Sequence, residues 1–157
     1  MLEKSNLQIY ILMEVVTMTD VFSKEKRSEV MSKIKGKDTK FEVMVRKWLF
    51  SKGFRFRKND KRYPGKPDIF LSKHKTAIFI HGCFWHAHEG CHYAYTPKTR
   101  TDFWISKIQD NVNRDKRNYT KLMDMDIKVL IIWECELKKN ADEILEKLVI
   151  ELNKKRT

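Results

Sequence analysis

Thirteen consecutive residues, Ile80 to His92, hold four of the five histidines and two of the three cysteines in this chain of 157 residues. No other feature limits the fold as much. Cysteine thiolate and neutral imidazole are preferred zinc ligands, and a closed tetrahedral set ties together the segments that supply it. Cys83, His88 and Cys91 offer three such groups. Cys135 lies far along the chain but follows an apolar run ending at Trp133. A strand there would return it to the loop and complete a set of three thiolates and one imidazole, with His92 as a competing fourth ligand. The opposing reading is three buried free thiols beside a surface histidine cluster. An odd number of cysteines, two of them among histidines, fits a disulfide framework poorly and points to a reducing cytoplasm.

Charge narrows the partner. The formal net charge is +12, and 41% hydrophobic residues suffice for a real core. Such a balance favours a polyanion, nucleic acid first and an anionic membrane surface second. Between Ser51 and Lys75 stand nine lysines and arginines against two acids, Asp60 and Asp68. The apolar run Leu7 to Val16 is interrupted by Glu14 and is too short to span a bilayer, so no membrane segment is expected. Residues 1–17 are less basic than the rest of the chain, and Met18-Thr19-Asp20 reads as a second start. The expected organisation is an extension over 1–17 and a single domain over 18–157.

Periodicity predicts a short helix from Ser23 to Ile34 and a second one opened by Thr39 and Glu42, which have capping-box spacing. Phe41, Val45 and Leu49 lie on its apolar face, and Gly53 is placed to close it. Strands are expected at Phe54–Lys58, Ile69–Leu71 and Thr76–Ile80, the last two joined by a hairpin at Lys73-His74. A long helix should begin near Thr99 and Asp102 with Phe103, Ile108 and Val112 on its apolar side. Ile127 to Trp133 reads as a strand covered on both faces, and Ala141 to Leu152 as an amphipathic helix. The fold class is therefore α/β, a mixed sheet flanked by helices.

Pro64-Gly65-Lys66-Pro67-Asp68 sets a carboxylate at a rigid turn before a strand, within a basic field. Asp68 is either a turn terminator or an oxygen ligand for magnesium. The next strand lacks the second acid and the lysine of the familiar nuclease arrangement. If Asp68 binds metal, a backbone carbonyl replaces the acid and His86 replaces the lysine as proton acceptor, with Asp115 available to orient its ring. Otherwise His86 is a surface or supporting histidine. Glu42 has a capping role already and can also point towards Asp68. Phe84, Trp85 and Trp104 are candidates for stacking on bases, whereas Trp48 and Trp133 suit packing.

His-Gly-Cys-Phe-Trp-His, preceded by Pro-Gly-Lys-Pro-Asp and followed by Thr-Arg-Thr-Asp-Phe-Trp, Asn-Val-Asn-Arg-Asp and Trp-Glu-Cys, resembles the very-short-patch-repair mismatch endonucleases, Vsr, from about Met18 to Leu152. The resemblance implies a restriction-endonuclease-like fold with a structural zinc. It implies a magnesium-dependent nick 5′ of the thymine in T·G mismatches left by deamination of 5-methylcytosine. Asp68 and the carbonyl of Ile80 would then hold magnesium, His86 would activate water with support from Asp115, and Glu42 would act through water on the metal. Cys83, His88, Cys91 and Cys135 would bind zinc. Phe84, Trp85 and Trp104 would intercalate from the major groove and Met31 from the minor groove. Two departures stand out: two residues, Glu89-Gly90, separate His88 from Cys91 where the family has one, and Ile80 replaces a frequent threonine. The implied partner is mismatched duplex DNA, met by a monomer in the bacterial cytoplasm at the nucleoid, with repair proteins downstream. A restriction-like nuclease on another target, or a zinc-stabilised DNA-binding module without catalysis, are the competing functions.

Overall fold

A computed structural model describes residues 23–33 and 36–154. The expectations for residues 1–17 and for the Met31 side chain lie outside what it describes. Helix α1 (Lys24–Ser32) opens on Ser23, whose Oγ accepts the Lys26 N–H at 3.2 Å. Helix α2 (Lys40–Ser51) follows the capping rule expected of it. Thr39 Oγ1 accepts the Glu42 N–H, and Glu42 Oε2 accepts the Asp38 N–H at 2.8 Å. At its other end Gly53 has φ +85°, and the Phe54 N–H reaches back to the Leu49 carbonyl at 3.0 Å. That left-handed closure buries Phe54 against α2. Strand β1 is therefore only Arg57–Lys58, shorter than the periodicity suggests.

The sheet has the order β1-β2-β3-β4, with β2 (Ile69–Leu71), β3 (Thr76–His81) and β4 (Lys128–Trp133). The first three strands are antiparallel neighbours, with Ile69 opposite Ile78, while β4 runs parallel to β3, with Ile80 opposite Ile132. A 3₁₀ turn, Ser72–His74, and a left-handed Lys75 make the β2–β3 connection. Helix α3 (Thr101–Asp124) is the crossover between the parallel pair, and α4 (Glu134–Asn153) completes the chain. Asn140 breaks α4 with φ −154° and recaps it, its Oδ1 accepting the Glu143 N–H.

Alternation along β2 and β3 sorts two cores. Ile69, Leu71 and Ile78 join α2 and α4 on one face, and Phe70, Ala77 and Phe79 join Tyr119 and Leu122 of α3 on the other. Ile69, Leu71 and Ile78 are fully buried, each stabilising the fold by about 1.5–3 kcal/mol relative to exposure. The sheet is thus covered by helices on both faces, as expected. Two expectations change. Strand β4 is covered on both faces, Leu130 and Ile132 packing into one core and Val129 and Ile131 into the other, but it is an edge among the described residues, and within it only Ile132 is buried. Helix α3 buries only Tyr119 and Leu122. Its first half carries Ile108 and Val112 half-buried and Phe103 exposed. About 36 Å long at 1.5 Å per residue, α3 is anchored near its end and presents its beginning to solvent.

Candidate active site and metal centre

Strand β3 ends at His81, and the chain then winds through tight turns from Cys83 to Ala87 before α3 begins. Cys83 turns inward and is buried. Cys135 sits in the first turn of α4, directly after β4. Because β3 and β4 are parallel partners with His81 opposite Trp133, their two exits lie side by side. Cys83, His88, Cys91 and Cys135 therefore converge, with one ligand atom from each within 4.8 Å of the others. Cys135 Sγ lies 3.3 Å from His88 Nδ1, and the His88 ring lies parallel to the Trp133 indole at 4.0 Å. Trp133 thus orients the His88 ring as well as packing. His88, not His92, stands in this set; His92 is exposed and packs against Tyr93. Gly90, with φ +68°, takes up the extra residue between His88 and Cys91. Three sulfurs and one imidazole at this spacing fit a tetrahedral soft-metal site. Burial pushes the Cys83 thiol up to about 12, so a cation there would have to displace its proton.

Above the same strand ends opens a cleft of about 1220 Å³ whose walls include Glu42, Asp68, His81, His86 and Asp115. Asp60 and Asp68, the two acids of the basic field, separate here. Asp60 is held by the Arg62 guanidinium at 2.6 and 2.9 Å, while Asp68 faces the cleft with Oδ2 accepting the Ile80 N–H at 2.7 Å. Burial raises Asp68 from 3.8 to about 6; the Ile80 N–H opposes that shift, and the neighbouring Glu42 carboxylate adds to it. A buried and a half-buried carboxylate in one basin suit a divalent cation, which removes the repulsion between them. Glu42 keeps its capping bonds while lining the cleft, so its two roles are compatible in space.

His86 Nδ1 lies 2.5 Å from Asp115 Oδ2. A carboxylate only accepts, so Nδ1 is the donor and Nε2 keeps its lone pair. This is the arrangement a general base needs. His81, His86 and Asp115 also lie close enough to share a metal, but the His86–Asp115 hydrogen bond would have to break first.

Three aromatics form the outer lip. Phe84 meets Trp85 edge-on at 5.0 Å, and Trp104 from α3 lies 5.5 Å from Phe84 and 6.0 Å from Trp85. Asn111 Nδ2 donates to the Trp85 carbonyl at 3.1 Å, tying the loop to α3.

Residues 19–92 match the family model of the DNA mismatch endonuclease Vsr. The chain is 57% identical over 137 residues to the Type II nicking enzyme V.NmeAIP of Neisseria meningitidis serogroup A, covering 86% of this chain and 97% of that one. It is 42% identical over 131 residues to the DNA mismatch endonuclease Vsr of Escherichia coli K12, covering 82% and 83% respectively. The chain belongs to the Vsr family.

As a Vsr-family protein it is a DNA endonuclease. No helix among the described residues is long and apolar enough to cross a membrane. The cleft also holds groups that pattern reading passes over. His81 is buried, its ring stacks on His86 at 3.7 Å and 14°, and burial lowers it to about 2, helped by His86 and Arg114. Tyr119 bonds its Nε2. Tyr95 and Phe103 extend the aromatic lip, 5.3 Å from Phe84 and 5.2 Å from Trp104. His81 is visible beside the Cys/His loop, but its work depends on neighbours 5 and 38 residues away, and spacing along one chain carries no sign of them.

Proposed function

We propose that this Vsr-family endonuclease nicks duplex DNA 5′ of the thymine in T·G mismatches that arise when 5-methylcytosine deaminates, and so begins very-short-patch repair. The observation that carries the reading is the shared origin of its parts. One loop after β3 holds His86 against Asp115 and carries Phe84 and Trp85, which pack with Trp104 beside the cleft that Trp85 lines. The names of two relatives, a nicking enzyme and a mismatch endonuclease, favour strand nicking at a mismatch.

In this reading the core is restriction-endonuclease-like. Cys83, His88, Cys91 and Cys135 hold a structural zinc that braces the loop. Asp68 and the Ile80 carbonyl hold magnesium, with Glu42 nearby. Magnesium, when bound, supplies positive charge for the phosphate oxygens. His86 Nε2 takes a proton from the attacking water, and Asp115 stabilises the imidazolium that results. The water oxygen bonds to phosphorus while the bond to the opposite bridging oxygen breaks, and that oxygen takes up a proton from solvent water. Phe84, Trp85 and Trp104 enter the stack at the mismatch, with Met31 pressing from the other groove. Unstacking a step costs a few kcal/mol, less at a mismatch, and three stacked rings at about 1–3 kcal/mol each offset it. Selectivity for T·G then rests partly on deformability. The enzyme acts as a monomer at the bacterial nucleoid and hands its product to repair proteins.

The test is Asp68→Asn. It removes one charge at nearly constant shape, so T·G affinity should hold within about twofold while nicking with magnesium falls by at least about a thousandfold, the several kcal/mol expected of a metal site. Wild-type nicking by this variant would remove Asp68 from the mechanism.

A further inference from the structure

Tyr119 is buried in α3 and its ring packs 5.2 Å from Phe79 in the core. Its hydroxyl has one partner among the described residues, His81 Nε2. His81 is itself buried, lines the cleft, and stacks face to face on His86. Its other nitrogen, Nδ1, is bonded to no protein group among the described residues and is not sealed from the cleft. The hydrogen bond therefore has a direction that matters. If His81 donated, the Tyr119 hydroxyl proton would be buried without an acceptor, a costly arrangement. If Tyr119 donates, its hydroxyl proton and Nε2 are both satisfied, and neutral His81 must carry its single proton on Nδ1, where the cleft can supply an acceptor.

We propose that Tyr119 is a positioning residue: by donating to Nε2 it fixes His81 as the Nδ1–H tautomer, which turns His81 into a hydrogen-bond donor facing the phosphate in the cleft. This rests on the nuclease reading of the same cleft. With the other tautomer His81 would present a lone pair to an anion, a repulsive contact. Tyr119 also fixes the plane of the ring on which His86 rests while His86 takes up its proton. A buried hydroxyl on a core-packed helix is a rigid support for both tasks.

The experiment uses the full chain with zinc and magnesium, a T·G duplex as substrate, and Tyr119→Phe, which keeps the ring in the core. Side-chain ¹⁵N spectra at neutral pH should show the His81 proton on Nδ1 in the wild type and a shift towards Nε2 in the variant. Single-turnover nicking at saturating duplex should fall at least about tenfold with duplex affinity and melting temperature unchanged. A purely structural role would move the melting temperature instead. The wild-type spectrum needs no variant, so it decides the tautomer even if Tyr119→Phe folds poorly. A wild-type His81 protonated on Nε2, or wild-type nicking by Tyr119→Phe, would overturn the inference. His86→Ala is run in parallel. If it abolishes nicking while Tyr119→Phe does not, only the Tyr119 inference fails; if it nicks at full rate, the underlying reaction fails too.

Discussion

His86 can accept a proton because Asp115 occupies its other nitrogen, and the stacked His81 stays neutral because burial drives it from 6.5 to about 2. That depression has a consequence for folding. Between those values the unfolded chain binds a proton that the folded chain does not, so stability falls as the solution is acidified below about 6.5, by about 1.4 kcal/mol per pH unit for one group. Asp68 runs the other way: raised from 3.8 to about 6, it keeps an extra proton in the folded state and gains stability on acidification through that window. Comparing wild type with His81→Gln separates the two. Urea titrations of zinc-loaded, magnesium-free protein should show the wild type losing about 2 kcal/mol more than the variant between pH 6.5 and about 5. Parallel curves would mean that His81 is protonated in the fold. Cys83, His88, Cys91 and the His86 loop are legible in the sequence because they form one local motif, and Cys135 because the apolar run before it marks the strand that returns it. The stack of His81 on His86 is not, since it needs β3 and the turn after it folded back together, and Tyr119 reaches the stack only from the far core.

At the scale of elements, the Cys/His cluster exists because β3 and β4 end together. Cys135 comes from the start of α4, and the other three ligands from the loop after β3. Cys135→Ala, or stripping zinc with a chelator, should therefore release the loop without dissolving the sheet. Metal analysis should find about one zinc in the wild type and far less in the variant. The melting temperature should fall by on the order of 10 °C, since each kcal/mol shifts a domain of this size by about 2–4 °C. An unchanged melting temperature in zinc-free protein would exclude a structural metal. Helix α2 is readable end to end, because Thr39, Glu42 and Gly53 act through bonds within their own turn. The length of β1 is not, because Phe54 closes α2 instead of extending a strand. The sequence of β4 suits a strand covered on both faces, but an apolar run does not reveal its place in the strand order. Helix α3 has an amphipathic pattern throughout, yet only its final turns meet the core, which leaves Trp104 at the lip.

For the molecule as a whole, a net charge of +12 gives general attraction to DNA and no choice among sequences. Choice must come from the cleft and its aromatic lip. Phosphate contacts should bind T·G and C·G duplexes alike, whereas wedging the stack is cheaper at the mismatch. In the proposed reaction this difference directs the cut. Single-turnover nicking, with magnesium at physiological salt, of two duplexes identical except that one carries T·G where the other carries C·G is the decisive measurement. One nick is expected, 5′ of the mismatched thymine, with the C·G duplex cut at least about a hundredfold more slowly. Equal cutting of both duplexes, or cutting of both strands at a paired site, would contradict that reaction.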